Sequence, residues 1–184
     1  MNTLTESLEA YIRAMPKVEL HVHLEGSIRP ETLLDLAARH GVELPARTVD
    51  ELSEWYAFRN FDHFVEVYLA AAGCIRTPAD VERIASDFLE GQATQNVLLS
   101  EVTYTASTQR MLSGIPLDDQ LEAINRARAA AERDHGVTMS LTIDYPRHLD
   151  PDEFVRVAHW AVDNMSSGVS ALGLGGPEVG YPPE

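Results

Sequence analysis

Two histidines spaced two apart, His21 and His23, are flanked by Glu19 and Glu25 in the stretch Val18-Glu19-Leu20-His21-Val22-His23-Leu24-Glu25. In a strand, residues two apart point to one face, so the four ionisable groups line one side and Val18, Leu20, Val22 and Leu24 the other. Burying four such groups without partners is costly, and a metal ion is the simplest partner. Neutral imidazole is a common zinc ligand, and two imidazoles at this spacing can present nitrogens to one cation; zinc, iron and nickel all suit the pair. A half-exposed antiparallel strand with one wet face accounts for the same alternation. Gly26-Ser27 and then Pro30 follow directly, which puts the imidazoles at the carboxyl end of the strand, where parallel α/β folds carry their sites.

The other chemically capable residues read as structural. His40 and His135 each precede a glycine at an expected helix end, where a partly positive imidazole complements the helix dipole. His63, His148 and His159 are isolated and read as surface residues. Gly173, Gly175 and Gly176 form no phosphate-binding loop, because no Gly-Lys-Ser/Thr follows them. The lone Cys74 fills a gap between packed helices.

The elements that must position the histidines follow from periodicity. Strands are expected over residues 18–24, 97–105, 137–145 and 169–174. Helices are expected over 30–40, ending at Gly41, and over 117–135, ending at Gly136. Others include Phe61, Phe64, Val65, Tyr68 and Leu69, start at Thr77-Pro78, and run from Asp150 to about Met165. Such alternation forces parallel strands joined by helical crossovers. Two architectures satisfy it: an open doubly wound sheet, or part of a (β/α)8 barrel.

The segment Pro16-Lys17-Val18-Glu19-Leu20-His21-Val22-His23-Leu24-Glu25-Gly26-Ser27 and its continuation to Leu33 resembles the first strand and helix of the adenosine deaminase family of metal-dependent adenine-ring deaminases. Glu101-Val102-Thr103-Tyr104-Thr105 and Leu172-Gly173-Leu174-Gly175-Gly176-Pro177-Glu178 are similar to two later strand ends of that family. The resemblance implies an α/β fold, the N-terminal half of a (β/α)8 TIM barrel with about four parallel strands, with residues 1–184 as one partial barrel domain. It implies one Zn2+ per site with His21 and His23 as ligands, and His23, Glu25 and Gly176 as substrate-binding residues. Phe58, Phe61 and Phe64 fall where the family has an apolar wall over its pocket; an ordinary core stripe explains Phe61 and Phe64 equally well. Glu25 stands where adenosine specialists carry Asp, as in the adenine and aminodeoxyfutalosine deaminases, and Pro177 replaces an Asp of the family's loop. The implied reaction is hydrolytic removal of the 6-amino group of an adenine-ring nucleoside, adenosine or 6-aminodeoxyfutalosine. The family's third zinc histidine, its His-Ala-Gly-Glu segment and its Asp pair are not found here. The resemblance implies that the catalytic Glu and His lie beyond Glu184, so no catalytic acid or base is expected in this chain and the fragment alone is expected to be inactive. A non-catalytic metal-binding or scaffold relative, and a zinc amidohydrolase of another ring or amide, remain open beside it.

Composition bounds the partners. With 14 Lys+Arg against 29 Asp+Glu, the net charge of −15 argues against nucleic-acid and anionic-membrane binding, both of which need clustered cations. One cysteine and the lack of a long apolar run suggest a cytoplasmic protein. At 184 residues the chain is short of the roughly 250 that a full barrel needs, so open strand edges are expected to favour oligomers or edge-to-edge association.

Overall fold

The structure is a computed structural model that describes residues 3–182. Glu184, beyond which the family's catalytic Glu and His are expected, lies outside the described residues. Along the chain run α1 (Thr3–Ala14), β1 (Lys17–His23), α2 (Pro30–His40), α3 (Val49–Trp55), α4 (Phe61–Ala72), α5 (Pro78–Thr94), β2 (Val97–Tyr104), α6 (Ala106–Ser113), α7 (Leu117–His135), β3 (Thr138–Pro146), α8 (Pro151–Asp163) and β4 (Val169–Gly175). All strand pairs are parallel and their spatial order is the chain order, β1-β2-β3-β4. A doubly wound sheet reverses its strand order at a switch point; this one does not, and its strands follow one another as barrel strands do.

The two sheet faces differ sharply. Val102 and Tyr104 of β2 and Met139, Leu141, Ile143 and Tyr145 of β3 are buried in one core with Ile84 and Leu89 of α5 and Ile124 and Ala127 of α7. Burial of this apolar area, at about 25 cal/mol per Å2, is the main force holding the helices to the sheet. The opposite face carries Leu99, Glu101, Ser140 and Thr142, which are exposed or half-buried. This is the inner, lumen-side face.

Local chemistry sets the helix ends. Pro30 opens α2, and Gly41 closes it in the left-handed region at φ 63°. Thr77 and Asp80 form a reciprocal capping box at the start of α5, with Pro78 in the first turn. Asp80 is fully buried. Its carboxylate also accepts from Arg76 N–H and takes His40 Nε2 at 2.8 Å and Arg39 at 3.3 Å, tying the end of α2 to the start of α5. Cys74 is buried, as expected of a packing residue. His148 and His159 are exposed, but His63 is buried beneath Phe58 with Arg59 N–H on its Nδ1, contrary to its reading as a surface residue. No helix among the described residues is long and apolar enough to cross a membrane.

Candidate active site

Strict alternation fails in β1, and the failure builds the site. Glu19 pairs with Ser100 and Val22 with Val102, so Leu20 and His21 together oppose the single residue Glu101. That is a β-bulge, one extra residue on one strand. His21 occupies it at φ 61°, a conformation that costs a non-glycine residue of order 1 kcal/mol. The extra residue switches parity. Before it, Glu19 faces the helices, where Gln92 of α5 donates to its carboxylate, while Val18 and Leu20 face the lumen and are 58% and 65% exposed. After it, Val22 faces the core, whereas His23, paired with Thr103, faces the lumen. Glu19 is therefore removed from the face that holds the histidines, and the uniform ionisable face expected from alternation does not exist.

His21 and His23 do come together. Their ring centroids lie 5.5 Å apart, edge to face, close to the roughly 5 Å separation of two imidazoles sharing one zinc at Zn–N distances of about 2 Å. Burial lowers the pKa of His23, and His21 lowers it further while the negative charge of Asp144 opposes the shift. The net effect favours the neutral, ligating form. A catalytic zinc takes three protein ligands, and among the described residues no group of three His, Cys, Asp or Glu is placed to hold a metal. The two imidazoles thus fit as part of a ligand set.

Past the strand end, a short 3-10 turn, Glu25–Ser27, carries Glu25 inward until it is 2% exposed. Its Oε1 accepts from Thr105 N–H at 2.9 Å, and its Oε2 is buried without a partner. Burial drives its pKa up to about 8, against the pull of the backbone N–H groups. Thr105 also donates its hydroxyl to Asp144 Oδ1 at 2.6 Å. Because that proton is committed, Tyr68 must be the donor in its 3.1 Å contact with Thr105 Oγ1. Tyr68 stands edge-on to His23, at 6.4 Å between ring centroids.

The aromatic residues of α4 extend from there. Phe64 lies 6.2 Å from Tyr68, and Phe61 and Phe58 flank Phe64 at 6.0 Å and 5.1 Å. Phe58 and Phe61 are over half exposed, so only Phe64 approaches the site, through Tyr68. Gly176 lies just past β4, where a side chain would meet His148 and the Arg147 backbone; it is on the rim rather than beside the histidines. Sequence reasoning passed over Asp144, Thr105 and Tyr68. The available signal was Asp144 itself, a lone charge in the otherwise uncharged strand Thr138–Pro146.

Comparison with known proteins identifies the family and the fold. Residues 16–184 match the family model described as adenosine deaminase. The chain is 33% identical to an adenine deaminase of Rhodospirillum rubrum over 95% of this chain and 52% of that protein. It is 36% identical to an aminodeoxyfutalosine deaminase of Streptomyces coelicolor over 94% of this chain and 45% of that protein. Among solved structures it resembles an adenine deaminase from Arthrobacter aurescens (TM-score 0.82, 30% identity, 92% of this chain and 51% of that one). A zinc-bound amidohydrolase from Burkholderia ambifaria is similar as well (TM-score 0.83, 33% identity, 95% and 48%). The chain spans about half the length of the curated relatives it matches.

Proposed function

The chain belongs to the adenosine deaminase family, and from that premise we propose that it forms the metal-holding half of a hydrolytic deaminase acting on the 6-amino group of an adenine ring. The observation that carries the reading is the β1 bulge, which turns His21 and His23 onto one lumen-side face at the carboxyl end of the strand. The substrate class rests on relatives named adenine deaminase and aminodeoxyfutalosine deaminase, with adenosine and 6-aminodeoxyfutalosine as the leading nucleosides. The choice of zinc rests on the zinc-bound neighbour.

His21 and His23 would hold the metal, which when bound supplies Lewis acidity and brings deprotonation of water into the neutral range. Overall, water adds at C6, the C6–N bond breaks, ammonia leaves and a 6-oxo product remains. The protein's own part begins with orientation. In the metal-free chain burial pushes the pKa of Glu25 up to about 8, and since Oε1 is engaged by Thr105 N–H, its buried Oε2 is the oxygen left to meet a ligand. Phe64 backs Tyr68 on the β1 side of the pocket, and Gly176 offers backbone to the purine edge. The reading takes the third metal ligand and the general acid and base from a second half-barrel.

The test uses the full-length protein. Elemental analysis is expected to find about one zinc per chain, and ammonia release is expected with at least one of adenine, adenosine and 6-aminodeoxyfutalosine. His21→Ala and His23→Ala should each lower activity at least 100-fold and release the metal. Metal bound without turnover of any of the three would favour a scaffold or another ring amidohydrolase; protein that neither binds metal nor turns over would reject the reading.

A further inference from the structure

The carboxylate of Asp144 is held in a way that a purely structural role does not require. It is 5% exposed, faces the lumen from β3, and pairs in register with Gly173 of β4. Oδ1 is engaged by the Thr105 hydroxyl at 2.6 Å. Among the described residues, Oδ2 receives no hydrogen bond. Oδ2 has no protein donor and keeps contact with the lumen, so water or a ligand completes it.

The neighbouring strand makes room for that carboxylate. The lumen-side positions of β4 beside Asp144 are both glycine: a methyl group at Gly173 would lie 3.1 Å from Asp144 Cβ, and one at Gly175 would lie 2.8 Å from Oδ2. A side chain at Gly175 would push the carboxylate aside, and one at Gly173 would crowd the Cβ that carries it. Thr105 couples this carboxylate to the second one, giving its N–H to Glu25 Oε1 and its O–H to Asp144 Oδ1. With the Tyr68 hydroxyl donating to Thr105, both acids are fixed by one oxygen each. The buried Glu25 Oε2 is likewise unpartnered. The two free oxygens thus flank Thr105, one carried by the turn after β1 and the other by β3.

We propose that Asp144 is a substrate-contacting, specificity-determining residue whose Oδ2 accepts a hydrogen bond from an O–H or N–H donor of the bound adenine-ring compound on the β4 side of the pocket. The inference rests on the deaminase reading and deepens it. Two sources share this chemistry: a sugar hydroxyl of a nucleoside, and the ring N–H of a free base.

The experiment measures kcat and KM of full-length wild type, Asp144→Asn, Asp144→Ala and Gly175→Ala on adenosine, its 2′-, 3′- and 5′-deoxy analogues, 6-aminodeoxyfutalosine, adenine and 9-methyladenine. The variants should raise KM by about 10- to 100-fold for the donor-bearing substrate and change little for the analogue lacking that donor. Loss on nucleosides, erased by one deoxy analogue, assigns a sugar hydroxyl; loss on adenine but not on 9-methyladenine assigns the ring N–H. Gly175→Ala keeps the acid but crowds it, so it should copy the pattern and decides the matter if Asp144→Ala does not fold. An equal loss across all substrates, or none, overturns the proposal while leaving the deaminase reading intact. Wild type inactive on every compound overturns the deaminase reading and this inference with it.

Discussion

Glu25 is the residue whose environment does most to define the pocket. Its carboxyl reaches Thr105 N–H only because the 3-10 turn after β1 points it inward. Glu25→Asp shortens the side chain by one methylene, withdrawing the acid from Thr105 and changing the reach of its free oxygen. The expected result is a change of about tenfold in the ratio of kcat/KM for adenosine to that for 6-aminodeoxyfutalosine, measured with the purified full-length protein; an unchanged ratio would remove Glu25 from specificity. At this scale the sequence was half legible. The types and spacing of His21, His23 and Glu25 announce themselves, but the parity of their faces does not, because a bulge at a non-glycine residue leaves no compositional mark. Asp144 and Thr105 were illegible as partners, since contacts across crossovers have no sequence spacing.

At the scale of elements, the joint between α2 and α5 concentrates on one buried acid. Burial alone would raise the pKa of Asp80, but the Thr77 hydroxyl, the N–H groups of Arg76 and Thr77 and the charge of His40 together pull it below the ordinary value. A carboxylate with a depressed pKa in the folded state stabilises above its unfolded value near 4, and that contribution is lost as pH falls through the folded one. Asp80→Asn should therefore cost about 3 kcal/mol at pH 7, with the gap to wild type closing below about pH 4. Urea unfolding at pH 7 and pH 3 checks this; a gap independent of pH would assign the effect to shape rather than charge. The ends of α2 and α7 follow the expected residues, because Pro, Gly and capping side chains act locally. The helices α1, α3 and α6 lie outside the expected elements: α3 and α6 span only Val49–Trp55 and Ala106–Ser113, too short for a periodic signal, and α1 precedes the alternation of strands and helices.

For the whole molecule, the alternation of strands and helices was enough to choose a parallel sheet but not its order. The sequential order β1-β2-β3-β4 settles that choice, and the relatives about twice as long agree with a half-barrel. The same order has a dynamic consequence. β1 lies at one end of the sheet, joins β2 across the longest of the crossovers, and carries the bulge and the largely exposed lumen-side residues. Few buried contacts and a long closure make it the segment expected to open first. The strand that presents both imidazoles is therefore less secure than β2 and β3, so cation affinity and local order are one linked equilibrium. Amide hydrogen exchange on the metal-free 184-residue chain should show β1 exchanging at least tenfold faster than β2 and β3, and added zinc should slow β1 selectively; uniform protection across the sheet would show that the histidines stand on a platform as firm as its core.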